Sequence, residues 1–237
     1  MKIEVSLTPA LYPYRTLQHP HATVAIDVLR ATTAVCAAFQ AGCSEVVPLD
    51  SLEGLSQYRQ KGYLLAAERN GSKVGDAEYG NSPTEYLRHD LSGVKLAYST
   101  TNGTRSILRA ADAELTMAGA FANLTALTDC LRDRQMDTVL LCSGWKNDFC
   151  IEDTLVAGAI IEQLITHHTS LTIIGDAAHM ALVLWQQAKG DPYGYCEQAS
   201  HVHRLRRLGA EADVRFAFQT DTCPVVPVLK EGVLILL

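Results

Sequence analysis

The chain has 237 residues, with 20 Lys and Arg against 26 Asp and Glu (formal net charge -6), 48% hydrophobic and 19% charged. That composition excludes a disordered chain and offers nucleic acid or anionic lipid no global charge attraction, while leaving room for a local basic pocket. No apolar run reaches the roughly 18 residues that a membrane span needs.

From the N-terminus, MKIEVSLTPA alternates like a strand and carries Glu4, so it does not read as a signal peptide. Strands are predicted at Ile3–Leu7, Thr23–Ile26, Val46–Leu49, Tyr63–Ala67, Lys95–Tyr98, Glu114–Met117, Thr138–Cys142 and Val233–Leu236. Their nearly continuous apolar runs suit strands buried on both faces. Helices are predicted between them. Thr33–Ala41 has Thr32 as N-cap and Gly42 as its stop. Arg105–Ala111 follows a Thr-Asn-Gly-Thr turn, and Asn123–Arg134 opens on a capping residue and ends in arginines. Ile151–His168 is the longest amphipathic stretch, and Ala177–Lys189 and Tyr195–Leu208 make the C-terminal part, about 176–220, mainly helical. Strands alternating with helices predict one α/β unit over residues 1–237, a three-layer α/β/α fold with a largely parallel or mixed sheet.

The seven cysteines (Cys36, Cys43, Cys130, Cys142, Cys150, Cys196 and Cys223) are odd in number, irregularly spaced and without a CxxC pair. They argue against a disulfide framework or zinc ribbon and for reduced thiols in the cytoplasm.

Ligands of open α/β sheets bind beyond the carboxyl ends of the strands, so the residues after each strand are the informative ones. After Ile26 come Asp27 and Arg30, either a local ion pair or a functional pair, because buried charge at a strand end is costly unless paired or metal-bound. After Ala67 come Glu68 and Arg69, and further on the turn Gly80-Asn81-Ser82-Pro83. After Tyr98 comes Ser99-Thr100-Thr101-Asn102-Gly103-Thr104-Arg105 at a strand-to-helix junction, where backbone N–H groups, a permissive glycine and a guanidinium favour an anion over a mere capping turn. After Cys142 the segment Ser143-Gly144-Trp145-Lys146-Asn147-Asp148-Phe149-Cys150 leads to Glu152 and Asp153, which could simply complement the helix dipole. Three arginines and the carboxylates Asp27, Glu68, Glu152 and Asp153 at one sheet edge suit a phosphate bridged by Mg²⁺, which takes one or two carboxylates plus waters and phosphate oxygens.

Several phosphate and hydrolase chemistries are absent. There is no GxxxxGK[ST], no cysteine followed by five residues and an arginine, no second aspartate after Asp27-Val28, no HExxH and no GxSxG. The histidines form no evident ligand set. His201 and His203 beside Arg204, Arg206 and Arg207 read as a basic helix face, more often solvated surface, that could assist an anion pocket.

Taken in order, Val24-Ala25-Ile26-Asp27-Val28-Leu29-Arg30-Ala31-Thr32, Glu68-Arg69, Gly80-Asn81-Ser82-Pro83-Thr84-Glu85-Tyr86, Thr100-Thr101-Asn102-Gly103-Thr104-Arg105 and Glu152-Asp153 with Ala157-Gly158 resemble the 2-phosphosulfolactate phosphatase family. The resemblance spans nearly the whole chain; one local departure is Gly144–Cys150, where a Gly-Thr-x-Gly-x-Phe-Ser type of loop is expected. It implies a Mg²⁺-dependent acid phosphatase of α/β architecture that hydrolyses (R)-2-phospho-3-sulfolactate to 3-sulfolactate and phosphate, a reaction of coenzyme M biosynthesis. On this reading Asp27, Arg30, Glu68 and Arg105 are catalytic. Arg69, Asn81, Ser82, Thr101, Asn102, Gly103 and Thr104 bind substrate, and Asp27, Glu68, Asp153 and Glu152 are the metal candidates. Direct attack by a metal-activated water is expected over a phosphoenzyme, with Asp27 as the alternative nucleophile. The expected partner is a small anionic phosphoester, with no nucleic acid or membrane, and a homo-oligomer is compatible. The rival readings are a phosphatase for another small phosphorylated hydroxy acid and a non-catalytic anion-binding domain.

Overall fold

The computed structural model describes residues 1–146, 148–167 and 170–237. The expectations for Asn147 in the fourth loop and His168 at the end of the long helix lie outside the described residues. The strands are β1 (Lys2–Ser6), β2 (Ala22–Ile26), β3 (Glu45–Leu49), β4 (Leu64–Arg69), β5 (Ser72–Lys73), β6 (Lys95–Ser99), β7 (Leu115–Gly119), β8 (Thr138–Cys142), β9 (Thr172–Ile174), β10 (Pro227–Lys230) and β11 (Val233–Leu236). The helices are α1 (Ala31–Gln40), α2 (Leu55–Arg59), α3 (Pro83–Tyr86), α4 (Gly103–Arg109), α5 (Leu124–Arg134), α6 (Ile151–His167), α7 (Gly175–Ala188), α8 (Pro192–Tyr195), α9 (Ser200–Arg207) and α10 (Glu211–Ala217).

The strands form one mixed sheet in the order β5-β4-β6-β3-β11-β10-β7-β2-β8-β1-β9, with helices around it in a three-layer α/β/α arrangement. Strands β4, β6 and β3 are parallel to one another, as are β7, β2, β8, β1 and β9. The hairpin β10–β11 joins the two groups, antiparallel on either side. Three successive antiparallel junctions would point the two groups in opposite directions in a flat sheet. Here their carboxyl ends meet, so the sheet must coil. The β11–β3 junction, a single registered pair Leu234↔Val46, is the thin place where it can do so.

Strand alternation sorts the core. On β2, Val24 and Ile26 pack with Met117, Leu140, Leu155, Ile160 and Trp185, among residues of β7, β8, α6 and α7, while Ala25 faces the opposite way toward α1. Helix α1 is buried from Ala31 to Phe39, as an Ala-rich helix without a polar stripe must be, and its small residues sit among Val46, Leu96, Tyr98 and Ala118.

Local chemistry moved several expected boundaries. Helix α1 begins at Ala31, so Thr32 lies inside it and is not its N-cap. The Thr32 hydroxyl accepts from Asp27 N–H (2.9 Å) and donates to Gly119 O (2.7 Å), tying the ends of β2 and β7. Asn123 does precede α5, but its side chain turns back to accept from Ala120 N–H and donate to Val225 O. The predicted helix Tyr195–Leu208 is broken, with a single 3₁₀ turn at Cys196–Gln198 before α9. All seven cysteines are unpaired. No described helix is long and apolar enough to cross a membrane.

Candidate active site

Asp27 is the first residue after β2 and is buried beneath the opening turns of α1 and α4. Its Oδ1 accepts from Ala31 N–H at 3.1 Å. Its Oδ2 lies against Gly103, where an added Cβ would come within 2.7 Å of that oxygen and 2.2 Å of Ala31 Cβ. Only a residue without a Cβ lets the two turns approach this closely over a carboxylate. Burial raises the Asp27 carboxyl to about 6; Ala31 N–H and His201 oppose the shift, and Glu68 and Glu152 add to it.

Glu68, near the end of β4, is also buried. One carboxylate oxygen accepts from Gly71 N–H and the other from Thr101 N–H at 3.2 Å, which fastens the β4 turn to the loop after β6. Asp27 and Glu68 line one pocket together with Arg30, Asn81, Thr101 and Asn102, and its outer wall is Trp145, His201 and Arg204. The Trp145 ring stacks on His201 (centroids 5.9 Å apart, 13° between planes) and Arg204 lies 5.4 Å over the same indole. Closed by this cover, the pocket has about 20 Å³ of free volume, room for about one water.

Arg30, N-terminal to α1, holds the floor. Its Nη1 donates to Asp213 Oδ2 at 2.7 Å and its Nη2 to Gly71 O at 2.8 Å. The other Asp213 oxygen accepts from Ser82 Oγ (2.7 Å) and Thr84 Oγ1 (2.6 Å). One carboxylate on α10 therefore latches the β2 loop to the Gly80–Pro83 turn. Asn81 accepts from the Tyr98 hydroxyl.

Other expected site residues are placed differently. Arg69 is one residue beyond Glu68, so strand alternation turns it the opposite way, and it donates to Ser99 O and Ser99 Oγ. Ser82 faces Asp213, and Thr104 exchanges hydrogen bonds with Thr100 within the turn. Arg105 is not among the residues lining the pocket of Asp27; it lines a neighbouring cavity of about 280 Å³ with Arg109 and Ser143, and Asn102 borders both. Each oxygen of Asp153 accepts one backbone N–H, from Val28 and Gly144 at 2.9 Å each, as the two oxygens of Glu68 do from Gly71 and Thr101. Its carboxyl is pushed well above the usual range by burial, then by Glu152 and Asp27.

Glu152 stands behind the pocket wall, with Oε1 3.1 Å from His201 Nδ1. With Cys150 these two form a buried group whose ligand atoms lie within 4.8 Å of one another, so a metal ion could be held there. Thiol, imidazole and carboxylate are the donors of a borderline metal such as Zn²⁺, not of Mg²⁺. The oxygen-only donors Asp27 and Glu68, buried together and mutually repelling, fit a hard cation.

Asp213 carries no signal in the sequence; Trp145 and Cys150 lie in the fourth strand-end loop with no individual role, and Arg204 and His201 belong to the basic helix face that reads as solvated surface able to assist an anion pocket. The signal for the last two was present: Val202 and Leu205 mark the buried seam of α9, and His201 and Arg204 flank it.

A family model described as 2-phosphosulpholactate phosphatase matches residues 7–232. Proteins named "Probable 2-phosphosulfolactate phosphatase" resemble the chain along its length. That of Picosynechococcus sp. is 39% identical over 240 residues, 99% of this chain and 98% of its own. That of Microcystis aeruginosa is 35% identical over 236 residues, covering 98% and 97%, and that of Thermotoga maritima 36% over 213 residues, covering 90% and 91%.

Proposed function

The chain belongs to the 2-phosphosulpholactate phosphatase family, and from that premise we propose that it hydrolyses (R)-2-phospho-3-sulfolactate to 3-sulfolactate and phosphate with Mg²⁺ held by Asp27 and Glu68. Membership makes it a phosphoric monoester hydrolase. The observation that carries the metal assignment is the convergence of these two buried carboxylates, from the ends of β2 and β4, on a pocket that also holds guanidinium groups. When bound, Mg²⁺ would neutralise phosphoryl charge and acidify a water.

The chain's own groups supply the rest. Arg204 and Asn102 offer donors to the phosphoryl oxygens, while Thr101 donates to Glu68, and the pocket opens at Trp145 as the phosphoryl group enters. Arg30 is held in place by Asp213, with donors left over for an anion. A water oxygen bonds to phosphorus as the ester P–O bond breaks. The departing alkoxide takes up the proton that the attacking water releases. Glu152 accepts from His201 Nδ1–H, which fixes the ring orientation and leaves Nε2 facing the Arg204 guanidinium, so that His201 positions Arg204 at the pocket.

The test is phosphate release from racemic phosphosulfolactate by chelator-treated protein, with and without Mg²⁺. Mg²⁺-dependent release that stops near half conversion is the expected result. Mg²⁺-stimulated activity unchanged in both Asp27→Asn and Glu68→Gln would overturn the metal assignment.

A further inference from the structure

We propose that the cavity bordered by Pro9, Ala10, Asn102, Arg105, Arg109 and Ser143 is a second site for a tetrahedral oxyanion, built beside the reaction pocket. Its charge is one-sided. Arg105 and Arg109 lie four residues apart on α4, both line the cavity, and no carboxylate lines it. Like charges at this spacing repel. Among the described residues neither guanidinium has an ion pair, whereas Arg15, Arg30, Arg59 and Arg206 are each paired with a carboxylate.

A second, independent feature points the same way. Ser143 is 3% exposed, and its Oγ has no hydrogen-bond partner although it lines the cavity. A buried hydroxyl without a partner is uncommon, and two forked cations beside it are complementary to an oxyanion. The volume of about 280 Å³ accommodates such a group with its waters. Asn102 borders both this cavity and the Asp27–Glu68 pocket, so one small molecule can place its phosphoryl group in the pocket and a second anionic group here.

The oxyanion has two sources, the sulfonate of the bound substrate or a free inorganic anion. The substrate source rests on the phosphatase reading, and the free-anion source does not. The experiment compares wild type with Arg109→Met and Ser143→Ala in two assays. The first is calorimetric titration with inorganic sulfate. The second is the ratio of kcat/KM for phosphosulfolactate to that for phospholactate, which lacks the sulfonate. If the substrate supplies the anion, the ratio falls about tenfold or more in Arg109→Met, chiefly through KM. If a free anion is the ligand, the sulfate Kd weakens about tenfold while the ratio holds. Neither change, in variants that keep the wild-type thermal transition, overturns the site. A wild type inactive on every phosphoester would refute the phosphatase reading alone, and the sulfate titration would still decide the site. Arg109 is exposed, so its replacement leaves the core intact; Ser143→Ala provides a second route should it misfold.

Discussion

Replacing Gly103 by alanine separates the packing of this site from its chemistry. The new Cβ would stand 2.2 Å from Ala31 Cβ and 2.7 Å from Asp27 Oδ2. Carbon atoms rest at about 3.5–4.0 Å, so the first turns of α1 and α4 must part by more than about 1 Å. Overpacking of that kind costs about 1–3 kcal/mol. The loss of glycine freedom in the unfolded chain offsets about 0.4–1 kcal/mol of it. Against a typical stability of about 5–15 kcal/mol the variant stays folded at 25 °C. The Asp27 carboxylate nevertheless moves by the order of 1 Å, a displacement that costs about a hundredfold in rate. Urea unfolding and phosphate release, both per mole of folded protein, are the assays. Gly158→Ala is the control. Its Cβ would meet Ala181 O at 2.1 Å and Trp185 Cβ at 2.6 Å where α6 crosses α7, so it loses stability while each folded molecule keeps full activity. Gly103→Ala with at least half the wild-type kcat/KM would show that the close approach serves packing only.

Three other outcomes are expected. Asp213→Ala leaves the buried Arg30 guanidinium without its counter-charge and strips Ser82 and Thr84 of their acceptor, so urea unfolding should show a loss of about 3–5 kcal/mol; a loss below about 1 kcal/mol would mean that no latch exists. The Asp27 carboxyl is raised from 3.8 to about 6 in the metal-free fold, so that fold binds the extra proton; its contribution to stability is full below about pH 4 and is lost as pH rises through 6. Mg²⁺ should therefore raise the melting temperature far more at pH 7.5 than at pH 4.5, and an equal rise at both would refute the placement. Asp153→Ala frees the N–H groups of Val28 and Gly144 in the interior and should cost about 2–4 kcal/mol by chemical denaturation, whether or not Mg²⁺ is present.

The α/β architecture was legible because its signals are local. Each of the eight predicted strands is an apolar run, and the strand-end loops carry the polar residues that meet at Asp27 and Glu68. The three strands not anticipated have weaker local signals: β5 is two residues long, β9 three, and β10 begins on a proline. The roles of individual loop residues were harder to read. Glu68 and Arg69 are adjacent, yet pleat alternation sends one to the pocket and the other to Ser99. Asp153 looks like a metal ligand in sequence, and only the fold shows that its oxygens also tie two loops together, each accepting one backbone N–H as the oxygens of Glu68 do. Asp213 is 183 residues from Arg30, and no spacing rule connects them. His201 and Glu152 are likewise brought together only when α9 lies across the start of α6.

The position of the β10–β11 hairpin sets the order in which the molecule can be completed. The last strands in the chain, within residues 227–236, lie at the middle of the sheet between β3 and β7. On the ribosome both parallel groups are therefore made before the seam that joins them. Until the hairpin emerges, β3 and β7 each present an open edge of unpaired amides, the surface on which strands of other chains add. Closing that seam is a long-range pairing, Val228 to Met117 on one side and Leu234 to Val46 on the other, and such pairings form slowly. The nascent protein passes through a stage in which the walls of the sheet exist without their keystone, and that is the stage at which a chaperone has most to shield.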